Sequence, residues 1–108
     1  LITHGPMDDG PVTEMKSHVT VSCQVVERKS LREVAAILSL ARLVVSNDTG
    51  IMHVAAAVGT PVLSLFGPTD PEQWAPIGEK HRYIRGKGGE IGSITVEEVL
   101  AAGREMLQ

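Results

Sequence analysis

Apolar residues recur along this chain with two different periods, and the two periods alternate from one end to the other. Short β-branched or continuously apolar runs predict strands, and apolar residues three or four positions apart predict helices. The runs that predict strands cover residues 1–4, 19–22, 43–46, 61–66 and 82–85. The segments that predict helices cover residues 8–16, 31–41, 51–58, 71–74 and 96–107. This order predicts an α/β fold with a parallel sheet and helices on each side.

Turn and cap residues mark the limits of several elements. Gly5-Pro6 ends the first strand, and Gly10-Pro11 interrupts the helix predicted over residues 8–16. Residues 30–33 and 95–98 both have the spacing of a capping box, which predicts that a helix begins at each.

The segment after the third predicted strand has the features of a ligand site. The strand over residues 43–46 is followed by Asp48, Thr49 and Gly50, which open an alanine-rich helix. A helix start has backbone N–H groups without partners and the positive end of the helix dipole. Glycine lets a ligand approach the backbone closely, and the threonine hydroxyl adds a donor. With the N–H group of Ile51, these residues predict an anion site, and a phosphate is the expected anion.

A second polar turn follows the next strand. Residues 61–66 are apolar apart from Ser64, as in a strand covered on both faces, and Gly67-Pro68 ends the run. Thr69 and Asp70 come next. Because ligands in open α/β sheets collect at the carboxyl ends of strands, we expect both turns to face one crevice. Thr69 and Asp70 also have a structural explanation, as a turn and a helix cap, and it is the favoured one when each is taken alone.

Asp48 and His53 each have two interpretations. Asp48 is either a ligand contact or the N-cap of the following helix. His53 lies about one helical turn beyond Thr49, where it contacts a phosphate or orients Asp48. The alternative is a packed, hydrogen-bonded histidine with no role in binding. The other three histidines have no partner pattern, so we expect no zinc site.

The basic residues after the second turn do not predict a nucleotide-binding loop. Lys80, Arg82 and Arg85 form a modest basic group, and the sequence Gly86-Lys87-Gly88-Gly89 has a superficial likeness to a phosphate loop. The GxxxxGK[ST] spacing is absent, and so are a GxGxxG sequence after a strand and a GxSxG turn. We therefore expect residues 86–92 to form a mobile, solvated loop.

Length and composition predict one globular domain over residues 1–108. The net charge is -3 and the ten basic residues are scattered, which argues against nucleic acid as a partner. Cys23 is the only cysteine, so no internal disulfide is possible and a reducing compartment fits. No apolar run approaches the roughly 20 residues of a membrane span. Because the chain opens at Leu1 within an apolar run, we expect it to be a piece of a longer protein.

The two turns and their flanking residues together resemble a known family. The segments concerned are Val44-Val45-Ser46-Asn47-Asp48-Thr49-Gly50-Ile51-Met52-His53-Val54-Ala55-Ala56-Ala57, Gly59-Thr60-Pro61, Leu65-Phe66-Gly67-Pro68-Thr69-Asp70-Pro71 and Trp74-Ala75-Pro76. They resemble glycosyltransferase family 9, the ADP-heptose:lipopolysaccharide heptosyltransferases. The resemblance covers residues 30–85 well and the remainder only in pattern.

The resemblance implies a Rossmann-like three-layer α/β/α domain, the C-terminal donor-binding half of a two-domain GT-B enzyme. It implies an inverting transfer of heptose from ADP-heptose to the lipopolysaccharide inner core, by a cytoplasmic enzyme peripheral at the inner membrane. It implies no metal and no cofactor, and it places the general base in the N-terminal half, so no catalytic residue is assigned here. The residues that would bind the donor are Asp48, Thr49, Gly50, Ile51, His53, Thr69 and Asp70.

By the same resemblance this chain is incomplete. It lacks the N-terminal half, through which the acceptor would bind, and the first strand and helix of its own half. We therefore expect the 108 residues alone to bind the donor weakly or not at all and to transfer nothing. The neighbours of the missing strand would expose ladder edges, which favours a homodimer of the fragment.

Two alternatives to the transferase stay open on the sequence. One is a non-catalytic α/β module that binds a nucleotide or another phosphorylated ligand, and the other is a sugar-nucleotide epimerase of the GT-B type. An upstream α/β half with an acidic residue at its cleft edge would favour the transferase. A start codon near Leu1 would favour the small binding module.

Overall fold

A computed structural model describes residues 2–3, 9–27 and 29–108 of the chain. Its strands are β1 (Ile2–Thr3), β2 (Val25–Val26), β3 (Val44–Asn47), β4 (Val62–Phe66) and β5 (Arg82–Arg85). Its helices are α1 (Asp9–His18), α2 (Leu31–Ser39), α3 (Gly50–Ala57), α4 (Pro71–Trp74) and α5 (Val96–Met106). All three strand pairings in this part of the chain are parallel, which confirms the predicted α/β class. No helix among the described residues is long and apolar enough to cross a membrane.

The chain divides into two compact units, Leu1–Val34 and Ala35–Gln108. In the first unit β1 and β2 form a two-stranded parallel sheet, with Ile2 opposite Val25. The second unit has a three-stranded sheet in the order β3-β4-β5, so consecutive strands are neighbours.

The strand predicted over residues 19–22 is wrong. Helix α1 extends to His18, and the N–H of Val19 still donates to the carbonyl of Lys16, so the helical turn uses the start of that segment. Val21 is 75% exposed and has no core to pack against. The ladder partner of β1 is instead Val25–Val26, because pairing with a distant strand, and not the alternation alone, decides where a strand forms.

The predicted interruption of α1 at Gly10-Pro11 is also wrong, since the helix is continuous from Asp9 to His18. Pro11 lies in the first turn, where its missing N–H group would have no intrahelical partner in any case. The predicted helix start at Asp8, the strand ends at Leu1 and His4 and the stop at Gly5-Pro6 lie outside the described residues.

Strand β4 is the centre of the second unit. It pairs with β3 on one side and β5 on the other, and Val62, Leu63, Ser64 and Phe66 are all fully buried. Their continuous burial agrees with the apolar run in the sequence, because a central parallel strand is covered on both faces. Met52 and Ala55 of α3 are fully buried too, so this helix supplies part of the same core.

Both capping boxes are confirmed. At the start of α2, Ser30 Oγ accepts a hydrogen bond from the Glu33 N–H and the Glu33 carboxylate accepts one from the Ser30 N–H. Thr95 and Glu98 make the same reciprocal pair at the start of α5. Helix α2 ends two residues before the predicted position, because the N–H groups that follow it turn back to carbonyls three residues earlier.

Candidate functional site

The three strands of the second unit end at one edge of the sheet. Asn47 at the end of β3 lies opposite Leu65, and Phe66 at the end of β4 lies opposite Arg85 at the end of β5. Because the pairing is parallel, the turns after β3 and β4 leave the sheet from the same edge, as the sequence predicts. A third segment, after β5, leaves from this edge as well.

The first turn leaves the start of α3 without a side-chain cap. Thr49 is the N-cap residue, with an extended backbone, and its side chain makes no cap hydrogen bond. The interpretation of Asp48 as the N-cap is therefore wrong by one position. The Thr49 hydroxyl instead lies 3.5 Å from Ser46 Oγ, which donates to the carbonyl of Asn47.

The beginning of α3 is open. Thr49 and Gly50 are exposed, Ile51 is half-buried, and a Cβ added at Gly50 would meet no atom within 4 Å. The Met52 N–H bonds to the carbonyl of Thr49, so the helical ladder begins there. The N–H groups before it have neither a side-chain cap nor a crowded surrounding, which leaves them available to an anion.

Asp48 and His53 lie on either side of this opening in sequence, with no hydrogen bond between them. Asp48 is half-buried and His53 is exposed on the surface of α3. Among the described residues no hydrogen bond or ion pair joins them, so the predicted orientation of Asp48 by His53 is not seen. The exposure of His53 also contradicts its interpretation as a packed side chain.

The second turn has a clear structural role. Asp70 is the N-cap of α4, and its Oδ1 accepts a hydrogen bond of 3.0 Å from the Glu72 N–H. Pro71 occupies the first helical position, so the helix cap predicted from the sequence is confirmed. Thr69 is half-buried beside this cap. The carboxylate of Asp70 is thus partly used by the protein itself.

The predicted mobile loop over residues 86–92 contains two 3-10 turns, Lys87–Gly89 and Ile91–Ser93. Ser93 Oγ accepts from the Lys87 N–H and donates to the Glu90 carbonyl, both at 2.7 Å. The Gly86 N–H donates to the carbonyl of Phe66 at 2.9 Å, which extends the pairing of β5 with β4. Most of the segment is exposed, as the prediction of a solvated loop requires, and these bonds connect it to itself and to the sheet.

An open surface cleft with a volume of about 400 Å³ lies beside this segment. It is lined by Pro68, Arg85, Gly86, Gly88 and Gly89, which we call the Arg85 pocket. The sequence did not predict it as a site. Its one visible signal is an arginine at the end of a strand before a glycine-rich run, at the sheet edge where the two polar turns also lie.

The basic residues after the second turn have different partners in the structure. Lys80 donates to the carbonyl of Gly59, and Arg82 pairs with Glu105 of α5. Arg85 lies three residues after Arg82 on the same strand, so the two side chains lie on opposite faces of the sheet. No cluster of three or more histidine, cysteine or acidic residues suitable for a metal ion is found in the described part of the chain.

The chain is similar to known heptosyltransferases in sequence and structure. A model of the family described as glycosyltransferase family 9 (heptosyltransferase) matches residues 7–98. Lipopolysaccharide heptosyltransferase 1 of Escherichia coli O18:K1:H7 (strain RS218 / NMEC) is 37% identical over 76 residues, which are 70% of this chain and 23% of that protein.

Two solved structures of the E. coli heptosyltransferase WaaC have the same fold. The structure with ADP matches with a TM-score of 0.87 and 29% identity, over 98% of this chain and 33% of the solved one. The structure with ADP-2-deoxy-2-fluoro heptose matches with a TM-score of 0.79 and 29% identity, over 94% of this chain and 30% of the solved one. The chain thus spans about a third or less of the length of these relatives. Since the family model matches most of its residues, the chain belongs to glycosyltransferase family 9, the heptosyltransferase family.

Proposed function

We propose that this chain is the donor-binding part of an inverting glycosyltransferase that transfers heptose from ADP-heptose to the lipopolysaccharide inner core. Family membership supports a heptosyltransferase, and relatives of the chain were solved with ADP and with an ADP-heptose analogue. The observation that carries the proposal is the uncapped, open start of α3 at Thr49 and Gly50.

Gly50 has no structural reason to be a glycine. Its φ is not in the left-handed region, and a Cβ there would clash with nothing in the chain. Glycine in a helix is also less favourable than alanine, by up to about 1 kcal/mol. At the start of α3 a glycine leaves the backbone N–H groups open to the close approach of a ligand.

The proposed chemistry depends on the negative charge that develops on the leaving group. As the acceptor hydroxyl attacks the anomeric carbon, negative charge builds up on the departing ADP. The N–H groups of Gly50 and Ile51, with the positive end of the α3 dipole, stabilise that charge without a metal ion. The general base is expected from the N-terminal half of the enzyme, and the reaction needs no cofactor.

The other proposed donor contacts have unequal structural support. Asp48 and His53 flank the opening in sequence and make no hydrogen bond to each other, so both remain free for the sugar or the diphosphate. Thr69 follows β4 at the same edge. Asp70 is the weakest of the proposed contacts, because its carboxylate caps α4.

The test is a titration of the chain with ADP-heptose, ADP and UDP, followed by the backbone amide signals in NMR, which detects weak binding. We expect ADP-heptose and ADP to shift the amides of residues 49–51, and we expect no sugar transfer by these 108 residues alone. Gly50→Ala should weaken binding about tenfold or more by blocking close approach.

Gly10→Ala is the matched control, since Gly10 lies in the first turn of α1 and a Cβ there also meets no atom within 4 Å. This control should bind ADP like the parent chain. Equal affinity of the Gly50→Ala and Gly10→Ala variants, or unchanged affinity in both Asp48→Ala and His53→Ala, would remove the proposed site.

The outer edge of β3 supports a homodimer as a further part of the proposal. In the described part of the chain β3 pairs only with β4, so its other edge presents unpaired backbone groups. Val44–Asn47 contains no charge and no proline, the residues that usually protect an edge strand from pairing. Sedimentation should show association that rises with concentration, and a clean monomer at high concentration would contradict it.

The proposed cellular location follows from the proposed substrates. An enzyme that uses a nucleotide-sugar and a lipid-linked saccharide works where the cytoplasm meets the inner membrane. Fractionation of cells that express the full-length protein should find it in the cytoplasm and loosely on the inner membrane, and release by salt would indicate peripheral attachment.

A further inference from the structure

The Arg85 pocket lies outside the residues proposed to bind the donor. It forms where the turn after β4 and the segment after β5 meet, at the carboxyl edge of the sheet. A Cβ on Gly89 would lie 3.4 Å from Pro68 Cα, and one on Gly67 would lie 3.3 Å from Ile91 Cβ. The two segments are therefore in close contact, and together they make a wall with few side chains.

The guanidinium of Arg85 is held in place by the backbone. Its Nε lies 3.5 Å from the carbonyl of Gly67, and Nη2 lies 3.4 Å from the carbonyl of Pro68. A guanidinium has five N–H donors in one plane, and these two long bonds use only two of them. The remaining donors stay available, in an orientation already restricted by the protein, to an oxyanion that accepts two bonds side by side.

No ion pair to Arg85 or Lys87 is found within the described part of the chain. The ion pairs found there, Lys29–Glu33 and Arg82–Glu105, involve neither Arg85 nor Lys87. Two acidic residues are near in sequence, Asp70 and Glu90. The carboxylate of Asp70 caps α4, and Glu90 contributes its backbone carbonyl, which accepts from Ser93.

The backbone conformation of the Arg85 pocket requires its glycines. A Cβ on Gly86 would overlap the carbonyl of Glu90, so no side chain fits there. Gly88 and Gly89 have φ values of 63° and 76°, which favour glycine. The N–H of Gly89 bonds to the carbonyl of Gly86, while the N–H of Gly88 has no partner among the described residues. A backbone donor and a fixed arginine thus line the same cleft.

We propose that the Arg85 pocket binds a phosphate group, with the Arg85 guanidinium as its main contact, the Gly88 N–H as a further donor and the positive charge of Lys87, the neighbour of two lining residues in sequence, as an added attraction. This phosphate is separate from the donor diphosphate. Strand β4 separates β3 from β5 in the sheet, so the pocket and the start of α3 follow different strands, and the competition with ADP described below tests whether the two phosphate sites are separate. The chemical class of the ligand is a phosphate group, for which inorganic phosphate is the probe.

The test is an NMR titration of the chain with inorganic phosphate, followed at the amides of residues 86–89 and at Arg85 Nε. We expect saturable shifts there, and about tenfold weaker binding by Arg85→Gln, because a charge-assisted bidentate contact is lost. Arg104→Gln is the matched control, since it removes the same charge from an exposed position on α5. This control should bind phosphate within about twofold of the parent chain.

A second variant guards against misfolding of the first. Lys87→Gln removes a charge without touching the bonds of Arg85, and it should weaken phosphate binding about threefold. Phosphate that shifts no pocket amide, or equal weakening by Arg85→Gln and Arg104→Gln, would overturn the proposal. So would the absence of any effect of Lys87→Gln if Arg85→Gln does not fold.

Addition of ADP distinguishes this site from the donor site. ADP that shifts residues 49–51 while phosphate stays bound at residues 86–89 would support two separate sites. ADP that displaces phosphate from the pocket one for one would overturn the separation. Phosphate binding in the Gly50→Ala variant should match the parent chain, so failure of the donor site and failure of this pocket are told apart.

Discussion

The imidazole Nδ1 of His81 accepts a hydrogen bond of 3.1 Å from the backbone N–H of Val62, the fully buried first residue of β4. Only the form of the ring with an unprotonated Nδ1 makes this bond. Burial of the imidazole, followed by the charge of neighbouring Lys80, lowers the pKa of His81 from its usual value of 6.5. A histidine at the opposite end of the strand from the candidate site thus holds the start of the central strand.

This bond predicts that acid destabilises the second unit. Because the pKa of His81 is lower in the folded than in the unfolded chain, the unfolded chain binds the proton more readily. The stabilisation is complete above pH 6.5 and decreases as the pH falls below it, until the pH passes the lowered pKa of the folded state. Urea unfolding followed by the fluorescence of Trp74, the only tryptophan, measures this slope.

The His81→Ala variant should lose that pH dependence and unfold more easily at pH 8. Loss of the acceptor leaves the Val62 N–H unsatisfied, which costs about 1–2 kcal/mol. His18→Ala, on the exposed surface of α1, should keep the pH dependence of the parent chain. An unchanged slope in His81→Ala would assign the acid effect to another group.

Two threonine N-caps predict opposite outcomes of the same substitution. Thr95 makes a full capping box with Glu98, so Thr95→Ala should lower the free energy of unfolding by about 1 kcal/mol. Thr49 makes no side-chain cap bond, so Thr49→Ala should change stability by only a few tenths of a kcal/mol. In ADP titrations the order should reverse, with weaker binding by Thr49→Ala alone. A stability loss of equal size in both variants would mean that the Thr49 hydroxyl does cap α3.

The close approach of Gly86 to Glu90 predicts that the segment after β5 cannot accept a side chain. A Cβ at Gly86 would overlap the carbonyl of Glu90, so Gly86→Ala should destabilise the second unit by about 1–3 kcal/mol. Gly92 is the control in the same segment, because a Cβ there meets no atom within 4 Å. Gly92→Ala should be neutral within about 0.5 kcal/mol in the same urea experiment. Equal stabilities of the two variants would show that the segment rearranges freely.

The elements with local signals could be predicted from the sequence. The capping boxes at Ser30 and Thr95, the Asp70 cap and the buried run of β4 all depend on residues within one turn of each other, and all four are confirmed. The sequence also predicts that the two candidate turns lie at one sheet edge, because parallel strands all end at the same edge. For α3 the sequence offers Asp48 as the N-cap, whereas the structure has Thr49, and local pattern cannot choose between them because both are good cap residues.

The features that depend on distant partners could not be predicted. The alternation over residues 19–22 indicates a strand, but β1 pairs with Val25–Val26 instead. Residues 86–92 are mostly exposed, as the sequence predicts, but their conformation depends on the bond from the Lys87 N–H to Ser93 Oγ and on the packing against Gly67, which no local pattern indicates. The Arg85 pocket exists only because two segments far apart in sequence meet, so no local pattern indicates it.

Two buried hydroxyls of the second unit predict opposite changes in stability. Thr60 Oγ1 donates to the carbonyl of Leu38 at 2.7 Å, whereas Ser64 Oγ in the middle of β4 has no hydrogen-bond partner in the described part of the chain. Thr60→Val keeps the shape but leaves that carbonyl unsatisfied, which should cost about 1–3 kcal/mol. Ser64→Ala removes an unsatisfied buried oxygen and leaves a cavity smaller than a water molecule. Removal of the unsatisfied oxygen outweighs the cost of this small cavity, so Ser64→Ala should raise the free energy of unfolding by about 1 kcal/mol. Destabilisation by Ser64→Ala of the size expected for Thr60→Val would mean that Ser64 does bind a partner, and its neighbour Ser46 across the β3–β4 ladder is the first to test.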